Sequence, residues 1–550
     1  MSVPIAEPTT PAGAGPAPVT RAGIAAHLSG GRLYAWLGLV SLVIAALSLL
    51  IPSTPSYDPW AWLVWGREIL HANLHTPGGP TWKPLPVIFT TVLGLFGHAQ
   101  PDLWLVIARA GAILSVLMVF ALAARLTWRL RDAAGVGAPG GFAISAVAGL
   151  IGLVSLAFTG EYLSSSALGY SEGLMVAAML IAVDRHLDGR YRTAFAVGFV
   201  AALDRPEVWL FWGAYGLWLM WRDPGSRALV LGLAAVTLFL WFVPQKWGGG
   251  SWFSGVTRAQ HPRKNSPAFA PCPFCAELKD HAWPLVLLRI KVFAALAVLA
   301  AIGMLWRGRV ARPGWRLTGS RDRTLLTLIA CGLFGLAWWV LVALETQGGF
   351  SGNDRYLVLG SAFIVLAGAV GFGWLAHLLV GLVAGAGAAS RRAWAAAVAA
   401  ALIGLLYVFG PNFVGSNLID FSRTHRSLIY QATLRKDVSA LIASAGGARR
   451  VLACGPVMTE GFQVPMVAWY LGVRTIQVLD QPVVNDQGLA PVAPGQWPAT
   501  ILQTRDTRHA ALLPLPETII GWEHQGAHYR FTRTKEVFFF QDCSHAGSVG

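Results

Sequence analysis

Charge is the scarcest ingredient of this sequence. Only 13% of the 550 residues are Asp, Glu, Lys or Arg, where a soluble domain carries about 25%. With 55% hydrophobic residues and a mean hydropathy of +0.54, that deficit excludes a disordered chain and a single large soluble core. Apolar material at this length reads as many membrane spans. Cysteine is rare as well, five residues in all, which excludes a disulfide-built scaffold. No nucleotide-binding GxGxxG or Walker pattern follows Gly446-Gly447, and no His/Cys/Asp spacing makes a convincing metal site. Among the charges the acidic ones are the minority, 27 against 42 Lys and Arg, for a net charge of +15. In a membrane protein such an excess marks cytoplasmic loops and suits anionic headgroups or phosphates, so nucleic acid is not expected as a partner.

What is present is a series of apolar stretches. Residues 1–32 are rich in Pro, Ala, Gly and Thr and read as a disordered cytoplasmic tail. The stretch from Leu33 to Ile51 is long enough to stay in the bilayer as a span. Further stretches lie near 103–126, 142–159, 171–184, 193–203, 207–221, 228–244, 284–305, 324–344, 356–382 and 393–410. Hydropathy therefore predicts about eleven spans in a membrane domain over 33–410. Arg clusters after alternate stretches, as at Arg125, Arg129 and Arg131, at Arg185, Arg190 and Arg192, and most densely at Arg307–Arg323; Arg391 and Arg392 close the series. The positive-inside rule makes those loops cytoplasmic. A plasma-membrane protein with its N-terminus inside and residues 411–550 outside follows.

Two pairs of cysteines fall in predicted outer segments: Cys272 with Cys275 in Pro-Cys-Pro-Phe-Cys, and Cys454 with Cys543. An oxidising exterior would permit disulfides 272–275 and 454–543, leaving Cys331 buried in a span. The first pair also has the CxxC spacing of a redox centre or half a zinc site; the absence of a second CxxC and the two prolines favour a loop clip. Residues 411–550 read as a small α/β domain. Helices are predicted at Ser422–Ala445 and Val464–Leu471, strands at Arg450–Cys454, Thr475–Leu479 and Ala499–Gln503, and a final hairpin at Tyr529–Thr532 with Val537–Phe540. The domain carries no triad signature and reads as a lid or acceptor-docking module.

The informative segment is the first outer loop, with Tyr57-Asp58-Pro59-Trp60 near its start and Lys83-Pro84-Leu85-Pro86 further on. An amphipathic stretch to Phe96-Gly97 and Arg109 at the opening of the next span follow. This pattern resembles the GT-C membrane glycosyltransferases, the polyprenyl-phosphate-sugar dependent enzymes that include protein mannosyltransferase and aminoarabinose transferase relatives. Those proteins have an acidic residue early in the loop and a Lys-Pro-Pro-Leu-like element, from which this chain departs at the third position. The similarity covers about residues 33–380. It implies a GT-C-like helical fold, a polyprenyl-phosphate sugar as donor, an extracytoplasmic glycan, lipid or protein as acceptor, and transfer with inversion. It also implies that a divalent cation, Mg or Mn, can sit at the acidic pair; the sequence neither requires nor excludes one.

The chemistry suits the residue types independently. Transfer to a hydroxyl needs a base, and a loop carboxylate such as Asp58 can serve; Asp58 before Pro59 also suits a helix cap, and the family resemblance tips it toward catalysis. The leaving phosphate needs cations. Lys83 can contact it or snorkel to the interface. Glu172 and Glu161 are the further acidic candidates, Glu172 fitting the family pattern better, and either can cap a helix. Arg205 in Leu203-Asp204-Arg205-Pro206-Glu207 can hold phosphate or pair with its own acidic neighbours. Arg355, in the Gly-rich approach Gly348–Tyr356, can face the phosphate or anchor at the interface. In the loop 245–283, His261, Arg263 and Lys264 lie beside Trp247, Trp252 and Phe253. His261 and Trp252 suit an acceptor-side lid, although aromatics at this level also form a membrane belt. A transporter or flippase of a lipid-linked sugar, and a non-catalytic scaffold for envelope enzymes, are the competing readings.

Overall fold

The structure is a computed structural model. It describes residues 31–131, 138–262, 266–311, 319–384, 421–481 and 497–544, with a few isolated positions between them. Most of the N-terminal tail, Arg263, Lys264, Arg391, Arg392 and the stretch 393–410 lie outside the described residues.

The membrane part is a helical bundle. The first helix, α1 (Gly31–Leu47), continues as a tighter turn to Leu50. Loop helix α2 (Tyr57–Leu70) precedes α3 (Pro84–Leu93) and the long α4 (Gln100–Leu130), with a break at Gly97, whose φ is 54°. Helix α5 (Ala138–Ala157) turns by 66° into α6 (Gly160–Ala167). Then come α7 (Glu172–Leu187), α8 (Tyr191–Ala202), α9 (Val208–Arg222) and α10 (Arg227–Gly249). Three long helices follow: α11 (Leu288–Ala311), α12 (Ser320–Gln347) and α13 (Val358–Ala384). The last of these is the centre of the bundle. Its apolar window is 83% buried, against 11% for the first helix, which faces outward around most of its surface.

The span count corrects the hydropathy reading. Among the described residues six helical segments are long and apolar enough to cross a bilayer: Gly31–Leu50, Pro84–Leu130, Pro224–Gly249, Leu288–Val310, Ser320–Gln347 and Asp354–Val380. The bent pair α5–α6 makes seven if it counts as one span. The about eleven spans expected of a GT-C-like fold are therefore not formed among the described residues. The stretches 171–184, 193–203 and 207–221 become helices of 16, 12 and 15 residues. At about 1.5 Å per residue these reach about 18–24 Å, short of a hydrocarbon core of about 30 Å. Their apolar side chains pack on other helices instead: Met175, Val176, Leu180, Phe195, Ala201 and Trp212 all join the main core. A hydropathy window registers burial in protein as readily as burial in lipid.

The C-terminal region contains a five-stranded mixed sheet. Strand β1 (Val457–Thr459) lies between β2 (Val478–Asp480) and β3 (Thr500–Gln503), parallel to both. Strands β4 (Arg530–Arg533) and β5 (Phe538–Gln541) form the terminal hairpin, with β5 antiparallel to β3, so the order is β2-β1-β3-β5-β4. Helix α14 (Phe421–Ser444) ends at Gly446 and Gly447, whose φ of 91° and 84° only glycine adopts freely. The segment after it, predicted as a strand, is helix α15 (Ala448–Cys454). A short apolar run carries no periodicity that separates strand from helix. Helix α16 (Val464–Leu471) makes the crossover from β1 to β2. Disulfides join Cys272 to Cys275 and Cys454 to Cys543, and Cys331 is a buried free thiol.

This region sits directly on the first loop. Arg67 of α2 donates to the carbonyls of Trp469 (3.0 Å) and Val473 (2.6 Å). Gln100 donates to the carbonyls of Leu63 (3.2 Å) and Thr90 (2.8 Å), while its own oxygen accepts from the Trp469 indole at 2.9 Å. One buried amide thus joins α2, α3, α4 and α16. Trp60 packs at a tilt against Trp469 and Tyr470, with centroids 5.4 and 5.8 Å away. Loop helix α2 is consequently clamped between the bundle and the sheet region, and Asp58 on its first turn is held in place.

Candidate functional site

Five residues singled out in the sequence, the outermost 297 positions apart, converge on one buried cluster. Glu172 is at its centre, 1% exposed. Its carboxylate lies 3.1 Å from Lys83 Nζ, 3.8 Å from Arg205 Nη1 and 3.8 Å from Arg355 Nε. Arg355 Nη2 also donates to Asp58 Oδ2 at 2.7 Å. Arg355 therefore bridges the two carboxylates, one from the first loop and one from α7.

Each member is placed by a local feature. Asp58 occupies the first turn of α2, where a carboxylate is favoured by the helix dipole. Lys83 is the extended residue before Pro84 and Pro86, which start α3. Glu172 opens α7. The next residue, Gly173, packs so close to α4 that a Cβ would stand 2.6 Å from the Ala112 backbone nitrogen, which draws the α7 N-terminus against its neighbour. Arg205 is in the tight turn between α8 and α9, and that turn is joined to α3 by the hydrogen bond from Leu85 N to Leu203 O, 3.0 Å. Arg355 lies in the short turn leading into α13.

Sequence reasoning named these cations but missed what lies beneath them. The Arg355 guanidinium stands 4.0 Å over the Tyr170 ring, and Arg205 stands 3.7 Å over Tyr356. Lys83 lies 5.5 Å from the Trp62 ring centre. Aromatic faces stabilise a desolvated cation without neutralising it. The signal was present: Tyr170 is two residues before Glu172, and Tyr356 follows Arg355. Glu207 pairs with Arg205 through its Nε at 3.0 Å, so the local pairing weighed from sequence is formed. Asp204 is fully buried. Burial pushes its carboxyl above the ordinary range and the Glu172 charge adds to this, against the pull of Lys83.

The charges come close to balance. Lys83, Arg205 and Arg355 face Asp58, Glu172 and Glu207, with Asp204 biased toward its neutral form. Hydrogen-bonding capacity is not exhausted, however. Arg355 Nε and Arg205 Nη1 are buried and make no hydrogen bond, and Glu172 Oε2 accepts none. Buried donors of this kind are uncommon, and both stand 3.8 Å from Glu172 Oε1, within ion-pair range but beyond hydrogen-bond reach.

The remaining candidates stand apart. Glu161 is exposed on α6 and accepts from Ser164 of its own helix at 3.0 Å. His261 is exposed, its Nδ1 2.7 Å from the Thr257 carbonyl, and Trp252 is 47% exposed. Arg109 is a structural tie: it donates to Ser48 Oγ (2.8 Å), Ser53 Oγ (3.0 Å) and the Ala167 carbonyl (2.7 Å). Among the described residues no group of three or more His, Cys, Asp and Glu side chains is arranged to hold a metal ion.

At the opposite ends of α4 and α7 lies a second ionic network. Arg125 pairs with Asp184 and Asp188, and Arg185 contacts the same two carboxylates at 2.9 and 2.8 Å. Tyr34 of α1 donates to Asp184. The basic end of these helices and the Glu172 cluster thus face opposite ways along the bundle. No family model matches the chain, and no curated protein matches it in sequence. What the chain is shown to be is a multi-pass helical membrane protein with a sheet-containing C-terminal region.

Proposed function

We propose that the protein transfers a sugar from a polyprenyl-phosphate donor to a hydroxyl acceptor, with the Glu172 cluster as its active site. The observation that carries this reading is Arg355, shared between Asp58 at 2.7 Å and Glu172 at 3.8 Å beside Lys83 and Arg205. A donor phosphate entering the cluster takes the vacant N–H groups of Arg355 and Arg205 and competes with Asp58 for Arg355. Asp58, released, accepts the proton of the acceptor hydroxyl. The acceptor oxygen forms its bond to the anomeric carbon as the bond from that carbon to the phosphate oxygen breaks. The electron pair leaves with the phosphate, which becomes a monoester with one more negative charge. Lys83, Arg205 and Arg355 stabilise that added charge in a low-dielectric setting where each contact counts for more than in water. Glu172 keeps the three cations together before the donor arrives, which is a positioning role. The cluster of Arg125, Arg129 and Arg185 at the far end of α4 and α7 supports an outward-facing site under the positive-inside rule.

The test is release of polyprenyl phosphate from a panel of polyprenyl-phosphate sugars by the purified protein in lipid, with hydroxyl acceptors supplied. Wild type is expected to turn over at least one donor, and Asp58→Asn to lose about 100-fold or more of that rate while melting at a similar temperature. Equal turnover in the two proteins would remove Asp58 as the base. No release from any donor, with flux of intact lipid-linked sugar across the bilayer, would replace the reading by transport.

A further inference from the structure

A second feature lies where the first span leaves the bilayer. Two adjoining clefts, of 340 and 580 Å³, share Pro52 and Ser53 as a common rim. The smaller is walled by Leu49, Leu50 and Ile51, with Asp102, the partner of Arg435, at its polar side. Leu50 is 85% exposed and Ile51 56%, at the C-terminal end of a helix whose surface is mostly turned outward. An apolar wall at this place lies against lipid chains. The larger cleft runs along α14, where Ala432, Ala440 and Ala443 leave a shallow floor and Lys436, Thr433 and Ser439 provide polar walls.

The polar end is basic. Arg435 is fixed by Asp102 at 2.7 Å, the Ser53 carbonyl at 3.3 Å and the Tyr470 hydroxyl at 3.2 Å, so its charge is matched. Lys436 is exposed and has no ion-pair or hydrogen-bond partner among the described residues. The cleft therefore joins an unneutralised ammonium and hydroxyl donors to an apolar wall continuous with a membrane helix.

We propose that this cleft binds the phosphate headgroup of an anionic bilayer lipid, with the lipid chain along Leu49–Ile51. Lys436 supplies the charge, and Ser439 and Tyr470 supply hydroxyl donors, the Thr433 hydroxyl being already given to the Ile429 carbonyl at 2.8 Å. Bound there, the lipid bridges the end of α1 and α14, reinforcing the link between the membrane bundle and the C-terminal region that Arg435 already makes to Asp102 and the Ser53 carbonyl. The occupant is a bilayer lipid and not free phosphate, because an apolar wall of this exposure gives nothing to a soluble ion.

The full chain in nanodiscs is photolabelled with a phosphatidylglycerol analogue carrying a diazirine beside the headgroup, and crosslinks are mapped by mass spectrometry. Labelling of the 432–443 peptide is expected to fall when phosphatidylglycerol replaces phosphatidylcholine as host lipid. In Lys436→Glu it should drop about tenfold at unchanged melting temperature. Leu50→Ser, which leaves every cation in place, should also weaken labelling. Three results would overturn the proposal: equal labelling of wild type and Lys436→Glu, equal competition by phosphatidylcholine, or displacement of the analogue by millimolar inorganic phosphate.

Discussion

At the residue scale, Glu172 and Glu161 make a controlled pair. Both are acidic, both start helices, and both were candidates for the same role. Glu172 is buried among three cations, while Glu161 is exposed and bonded within its own turn. Removing one partner of a buried charge cluster leaves the others uncompensated and costs about 3–5 kcal/mol. Loss of an exposed carboxylate stays within about 0.5 kcal/mol. Glu172→Gln is therefore expected to lower the thermal midpoint in detergent clearly, and Glu161→Gln to leave it in place. Equal shifts would mean that Glu172 does not hold the cations together. The contrast explains why the sequence left the two open: a helix-opening carboxylate looks the same before its surroundings are known.

At the element scale, the loop that delivers Arg355 is secured to the helical turn Glu277–Ala282. His281 Nδ1 lies 2.5 Å from Asp354 Oδ1. Glu277 is fully buried, with neither carboxylate oxygen hydrogen-bonded. Gly352 passes so close that a Cβ there would fall 2.0 Å from Glu277 Oε2, so any side chain at this position displaces the Glu277 carboxylate. Burial pushes the Glu277 carboxyl up to about 7, with Asp354 adding to this and His281 opposing it. The hydrogen bond to Asp354 raises His281. Both folded-state values lie above their unfolded ones. The stability Glu277 contributes is thus complete below about 4.5 and is lost as pH rises through about 7; that of His281 is complete below about 6.5 and lost above its raised value. Melting wild type and Glu277→Gln at pH 5 and pH 8 checks the sign. Wild type should lose more midpoint than the variant between the two, and a parallel decline would show that Glu277 does not titrate in this range. The Gly-rich approach to Arg355 was legible in sequence as a place of close access; its partner on the turn at 277–282 was not, because nothing in the spacing joins two segments more than 70 residues apart.

At the scale of the whole molecule, the bundle and the C-terminal region meet at Gln100, whose amide satisfies Trp469 and two backbone carbonyls at once. Gln100→Leu strands the buried Trp469 indole N–H, at about 1–3 kcal/mol. Earlier loss of the C-terminal region than of the bundle, read by limited proteolysis during a thermal ramp, is expected in that variant; unchanged cleavage would show that the aromatic contacts of Trp60 suffice. The sequence by itself determined the class of protein, because a low charge content and apolar runs permit little but membrane helices. It also singled out the charged side chains that the fold gathers, since only a few charges occur at the ends of apolar stretches, and it paired the cysteines correctly. Tertiary structure alone decided the number of spans, because hydropathy does not distinguish a side chain facing lipid from one packed on α4 or α13. It alone decided which charges meet. Asp58, Lys83, Glu172, Arg205 and Arg355 lie on five separate segments, and only the close crossing at Gly173, the turn at Leu203 and the clamp on α2 bring them within reach of one another. A buried charge is tolerable only beside its counter-charges, so the packing that assembles the cluster is also what allows it to exist.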